Sequence, residues 1–202
     1  MIDSIFDDIQ GKIERHDVTD RFEQLIPEIT ISELFQKQTQ AYKKEYEEIK
    51  KIYKKFEHMY SVDLVFESEF EYEKFIEEKK QSYILQKGIK ILPICGEGRF
   101  HKIVERALDK KAPFEGVDKQ SDKGFKDALI WESMLEFAEK NEGTYLFFTG
   151  DKRFKGELEL EFKDFTGNNI FIFGKDEKQK LDIYIEEHSS EKKFKKTPCR
   201  SK

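Results

Sequence analysis

Cysteine is scarce in this 202-residue chain. Cys95 and Cys199 stand far apart, with neither the paired spacing of a zinc site nor the number a disulfide framework needs, which points to a reducing compartment. Long apolar runs are absent as well: no stretch approaches the roughly 20 residues of a membrane span. The amino terminus lacks the basic and apolar regions of a signal peptide, so the expected location is cytoplasmic. Histidine contributes little. His16, His58, His101 and His188 lie in polar contexts without triad or zinc spacing and read as surface positions. Nucleotide-binding glycine loops are missing, because Gly96-Glu97-Gly98 has neither the strand-then-GxGxxG nor the Walker pattern and reads as a turn. No one charge sign dominates: 37 Lys and Arg face 42 Asp and Glu, a formal net charge of -5. The average therefore announces no polyanion partner, and any such partner needs a local site.

What the chain does have is charge of both signs and aromatic surface. Charged residues make up 39% and the mean hydropathy is -0.77, yet 19 Phe and 8 Tyr supply enough apolar area for a globular core rich in rings. The length suits a single domain, expected over residues 1–190. Lys192, Lys193, Lys195, Lys196, Arg200 and Lys202 crowd residues 191–202, which read as a flexible basic tail.

Along the chain, Phe6 to Phe22 is polar and weakly amphipathic, and Gln24 to Pro27 is a very short apolar stretch. From Glu28 to Met59, apolar residues recur at helical spacing (Ile31, Leu34, Phe35, then Tyr42, Tyr46, Ile49), giving one long helix or two joined. Val62 to Phe66 alternates like a strand, Glu67 to Gln86 is helical, Ile89 to Ile94 is a short β-branched run, and Phe100 to Leu108 reads as a short helix. Asp109 to Ser121, with Pro113 and Gly116, reads as a surface loop. A helix follows that Asp122 or Gly124 can start and Gly143 can stop. Thr144 to Thr149 reads as a strand buried on both faces, Asp151 to Phe162 as a helix, Asn169 to Phe173 as a second buried strand, and Asp176 to Glu187 as a charged helix. This alternation implies a parallel sheet flanked by helices.

Two carboxylates sit where packing would not choose them. Asp127 opens the helix and heads a stripe continued by Ile130, Trp131 and Met134, where a lone buried carboxylate would cost several kcal/mol without a cation or hydrogen bonds. Asp151 ends a hydrophobic strand, and the carboxyl ends of parallel strands are the crevice that ligands enter. Each has a plainer explanation: Asp127 favours the helix's positive amino end, and Asp151 caps a following helix. Together they suggest a divalent metal. Glu33 lies near the border of an apolar stripe between Ile29, Ile31, Leu34 and Phe35, a position that on spacing alone reads as a solvated face. Glu132, about 140° around the helix from Asp127, reads as structural or solvated.

The segment Gly124-Phe125-Lys126-Asp127-Ala128-Leu129-Ile130-Trp131, the strand end Thr149-Gly150-Asp151-Lys152-Arg153-Phe154, and the early Ile26-Pro27-Glu28 with Ser32-Glu33-Leu34 resemble the PIN-domain family of metal-dependent nucleases. They are similar in particular to a branch of bacterial PIN-like proteins. The family's strand ends in Thr-Asn-Asp, where this chain has Gly150 in the middle position. The resemblance implies a three-layer α/β/α fold with a central parallel sheet and acids gathered around Mg2+ or Mn2+. Carried over by position, Asp3, Glu33, Asp127 and Asp151 would be catalytic metal ligands. Asp3 follows only Met1 and Ile2, too few residues at about 3.3 Å each for the usual central strand, so the first strand is expected to be shortened.

Lys123, Lys126, Lys152 and Arg153 border these acids and would meet an RNA backbone, with binding that weakens as salt rises. The resemblance thus implies an endoribonuclease acting on single-stranded or structured RNA, as a toxin or defence effector. An antitoxin or other protein partner and a homodimer are the further partners it admits, and no membrane. A second class stays open: a catalytically impaired PIN-like module that binds nucleic acid or protein.

Overall fold

The computed structural model describes residues 4–16, 22–56, 72–114, 124–154 and 156–190. The expected strand from Val62 to Phe66, the linker beyond Phe114, Asp122, His58 and the tail at 191–202 lie outside the described residues. The chain divides into two compact units, Gln24–Ile91 and the remainder, Met1–Glu23 with Leu92–Lys202. It is mostly helical with short strands. No described helix is long and apolar enough to cross a membrane.

In the Gln24–Ile91 unit, strand β1 (Leu25–Pro27) runs directly into helix α2 (Glu28–Phe56). Pro27 stands just before the first helical position, where its missing N–H costs nothing, and Glu28 places a negative charge on the helix's amino end. The apolar periodicity resolves as one 29-residue helix, not two. Its buried residues are Ile31 and Phe35, one turn apart on one face. Helix α3 (Tyr72–Lys87) packs on α2 and buries Ile76, with a Lys43–Glu73 ion pair between the helices. Gly88 then turns the chain with a φ of +59°, and β2 (Lys90–Leu92) pairs with β1, Lys90 N–H donating to the Gln24 carbonyl at 3.0 Å.

In the other unit, helix α1 is Ser4–Arg15 and a 3₁₀ turn at Glu97–Arg99 leads into α4 (Phe100–Leu108). Gly96-Glu97-Gly98 is thus a turn, as its sequence suggests, with the Gly96 N–H held by Glu136 Oε2 at 2.8 Å. Helix α5 (Phe125–Lys140) is free of Gly and Pro and buries Ala128, Trp131, Glu132, Ser133, Met134, Leu135 and Ala138, more than one stripe. Its start depends on Gly124. That residue has a φ of +119°, and a Cβ there would stand 2.8 Å from the Phe114 Cα. Only glycine meets both demands.

Strand β3 (Thr144–Phe148) and strand β4 (Asn169–Phe173) form a parallel pair in register from Thr144 with Asn169 to Phe148 with Phe173. Between them, α6 (Glu157–Thr166) packs on β4 and on α5. The carboxyl end of α6 is closed by Gly167 at φ +74°, whose N–H reaches the Lys163 carbonyl at 2.9 Å. Leu146 and Phe148 pack with Ile13, Phe173, Leu181 and Ile185 on one face, the last two from α7 (Lys178–Ser190). Tyr145 and Phe147 lie on the other, with ring centroids 5.2 Å from Phe162 and 5.0 Å from Phe154. Trp131 joins that cluster at 6.3 Å from Phe154 and 5.8 Å from Phe162.

Two expectations are corrected. Neither strand is fully buried: Thr144 is exposed and Tyr145 to Phe148 are half-buried, while in β4 only Ile170 and Phe173 are buried and Phe171 is exposed. Among the described residues each strand has one sheet partner. On the side of β4 away from β3, the Ile172 N–H is taken by Glu159 Oε1 at 3.1 Å. The helix expected from Asp151 begins only at Glu157. Gly156 breaks it, with a φ of +69° that a helix does not admit.

Candidate metal centre

Asp127 is the third residue of α5 and so projects from its first turn, where the unsatisfied backbone N–H groups favour an acid. Asp151 comes from the turn that follows β3. There the Thr149 N–H continues the sheet ladder to the Phe173 carbonyl at 2.9 Å, and Thr149 Oγ1 accepts the Asp151 N–H at 3.1 Å. Asp151 Oδ1 in turn accepts the Arg153 N–H at 2.9 Å. These side-chain bonds close a tight turn, a competition with helix that short polar side chains win at such ends. Asp151 therefore shapes a turn and does not cap α6. Phe154, buried against Trp131, anchors the far side of the turn.

The turn aims Arg153 back at the acids. Its Nε lies 2.9 Å from Asp151 Oδ1 and 3.0 Å from Oδ2, and its Nη2 donates both to Asp151 Oδ2 and to Asp127 Oδ2, the latter at 2.5 Å. One nitrogen thus bridges the two carboxylates. All three side chains are half-buried, Asp127 at 23%, Arg153 at 28% and Asp151 at 30% exposure, so these charge-assisted bonds are screened less than on an open surface. The Arg153 hydrogen bonds hold the Asp151 carboxyl below the usual carboxylate range, against an opposing effect of burial.

Of the four expected ligands, the structure brings Asp127 and Asp151 together. Glu33 lies on α2 in the other unit, half-buried, and Asp3 lies outside the described residues. Among the described residues, no group of three or more His, Cys, Asp or Glu is arranged to hold a metal. Of the basic residues, Lys126 and Lys152 are exposed, and Lys123 lies outside the described residues. Arg153 contacts the two aspartates. A Cβ on Gly150 would stand 2.6 Å from Lys175 Cε, so this lysine crosses the strand-end turn at the residue that differs from the family's Thr-Asn-Asp. The parallel register, which sets the end of β4 beside the end of β3, is what brings it there.

Magnesium and manganese take oxygen ligands, and Mg2+ retains several waters, so it needs only one or two protein carboxylates. Two half-buried carboxylates converging on one cationic nitrogen are such a donor set. The residues fit the group, with the guanidinium as the chain's own cation at the point of convergence.

A second charged cluster lies elsewhere in this unit. Buried Glu132 accepts from Arg99 Nη1 at 2.6 Å and from Arg106 Nε and Nη2 at 3.1 and 3.0 Å. Arg106 also reaches Glu161 and the Ala112 carbonyl, and the Trp131 Nε1–H donates to Glu161 Oε2 at 3.2 Å. Burial works to lower the Arg106 pKa, and the paired glutamates raise it overall. Glu139 Oε2 lies 3.9 Å from Arg99 Nη2, so two arginines face three glutamates. Their satisfied bonds tie α4, α5 and α6 together beside a cleft of about 550 Å³, lined also by Lys102, Leu135 and Phe165. This is the structural role left open for Glu132.

No curated protein and no solved structure matches the chain. The PIN-domain family model matches residues 5–154, a span that takes in Glu33, Asp127, Asp151 and Arg153. Covering well over half of the chain, that match places it in the PIN-domain family.

Proposed function

We propose that this chain is a metal-dependent endoribonuclease in which Asp127 and Asp151 form the centre of a Mg2+ or Mn2+ site. PIN domains are generally metal-dependent nucleases that bind nucleic acid, which supports the reaction class proposed here. The observation that carries the reading is the convergence of two carboxylates, from a helix's first turn and a strand's end, on a single cationic nitrogen. When bound, the ion supplies charge stabilisation at a phosphodiester and activation of water for in-line attack. The chain's own residues do the rest. The α5 amino end and the Thr149–Arg153 turn hold the carboxylates in place, and the Arg153 hydrogen bonds favour the charged form of Asp151. Lys126, Lys152 and Lys175 offer positive charge to the backbone of single-stranded or structured RNA around an otherwise acidic centre. A role as a toxin or defence effector, with an antitoxin as protein partner, belongs to the same proposal.

The Arg153 bridge favours a second reading, a module that binds nucleic acid or protein without cleaving. Cleavage of single-stranded RNA in Mn2+ by the wild type, Asp127→Asn and Asp151→Asn separates them. The nuclease reading expects activity that both substitutions abolish. Activity unaffected by either sinks the site, and no metal-dependent cleavage by the wild type favours the binding module.

A further inference from the structure

We propose that Arg153 is a built-in counter-cation that occupies the metal position between the aspartates, and that a divalent ion binds by displacing it. This rests on the metal-site reading above and adds what that site holds before the ion arrives.

Three observations support it. Arg153 belongs to the same turn as Asp151, and its backbone N–H on Asp151 Oδ1 fixes where its side chain begins. Its Nη2 is shared by oxygens of both aspartates, the point from which a small cation would reach the same two atoms. All three side chains keep between 23% and 30% exposure, so a hydrated ion can approach and the guanidinium can leave on a flexible stem.

The chemistry follows from charge. Two half-buried carboxylates this close repel each other unless a cation lies between them. The guanidinium supplies one positive charge spread over a planar fork, whereas a divalent ion concentrates two on one centre and prefers oxygen ligands. Exchange breaks the arginine's hydrogen bonds and forms ion–carboxylate contacts, with no covalent bond made or broken. The freed fork then stands beside the site with a geometry that matches a phosphate.

Calorimetric titration of the full chain with Mn2+ alone tests this on the wild type, Arg153→Met, Arg153→Lys and Asp127→Asn. Removing the competitor is expected to tighten Mn2+ binding roughly tenfold in Arg153→Met, since the ion no longer has to break charge-assisted hydrogen bonds. Arg153→Lys, a cation without the fork, is expected to fall between wild type and Arg153→Met, and Asp127→Asn to lose most binding. Without metal, Arg153→Met should melt below the wild type, and saturating Mn2+ should close that gap. Unchanged or weaker Mn2+ affinity in Arg153→Met, with binding still lost in Asp127→Asn, overturns the displacement and leaves the metal site standing. Absence of Mn2+ binding in both wild type and Arg153→Met overturns site and displacement alike. Should Arg153→Met not fold, Arg153→Lys decides: tighter binding supports the proposal and unchanged affinity overturns it.

Discussion

Glu132 Oε1 accepts two hydrogen bonds from Arg106, at 3.1 Å from Nε and 3.0 Å from Nη2, with both side chains less than a tenth exposed. A buried pair of this kind adds little when compared with an apolar pair of the same shape. Breaking one half is costly, because it strands the other charge away from water.

The first prediction concerns that pair. Arg106→Met removes the arginine on Glu161 and one of the two that hold Glu132, Arg99 staying at 2.6 Å, and should cost about 2–3 kcal/mol, read as a drop in the urea midpoint at constant slope. The double variant Arg106→Met with Glu132→Met should recover part of that loss. Equal destabilisation in the single and double variants would show that the pair is not the relevant unit.

Gly124 sets the position of Asp127 by setting where α5 begins. Gly124→Ala must adopt a left-handed φ and press its Cβ toward the Phe114 backbone, at a cost of about 1–3 kcal/mol. Thermal denaturation measures the cost. Mn2+ titration should show weaker binding as well, because Asp127 moves with the helix.

The pH dependence of stability follows from Asp151. Its folded-state pKa is depressed, chiefly by the Arg153 hydrogen bonds, so it contributes stability above its ordinary unfolded value near 3.8. That contribution is lost as pH falls through the depressed value. Denaturant midpoints followed from pH 6 downward should therefore fall less steeply in Asp151→Asn than in the wild type. An identical acid limb in both proteins would remove Asp151 from the account.

Trp131 is fully buried between Phe154 and Phe162 and ties α5 to the strand-end turn. Trp131→Ala should cost about 3–5 kcal/mol through lost contacts and the cavity left behind. Because Phe154 anchors the turn that carries Asp151, RNA cleavage should fall more than the folded fraction does, a difference measurable by activity per folded molecule.

Much of this was legible from local rules. Phe100–Leu108 and the start of α2 at Glu28 stand where periodicity and Pro27 put them, and Asn169–Phe173 is a strand as its β-branched and aromatic pattern suggests. The helix after Asp151 was misplaced because glycine's positive φ overrode the periodicity, and a side chain's hydrogen bonds cannot be seen in spacing alone. Asp127 and Asp151 were visible as acids in unusual places. Arg153 was visible only as a nearby positive charge, since its bond to Asp127 exists only once α5 and β3 have come together. Glu132 with Arg106, and Lys175 beside Gly150, are likewise pairs that tertiary structure creates.

Glu159 has a consequence that concerns solubility more than chemistry. By occupying the Ile172 N–H, it fills a hydrogen-bonding position on the side of β4 away from β3, whose run Ile170-Phe171-Ile172-Phe173 has the composition of a segment that recruits further strands. Phe171, exposed on that strand, packs its ring on a sheet face against Tyr184 of α7, centroids 5.5 Å apart. A glutamate on α6 thus serves as a gatekeeper: its carboxylate competes with any incoming backbone and sets a negative charge where a second chain would have to lie.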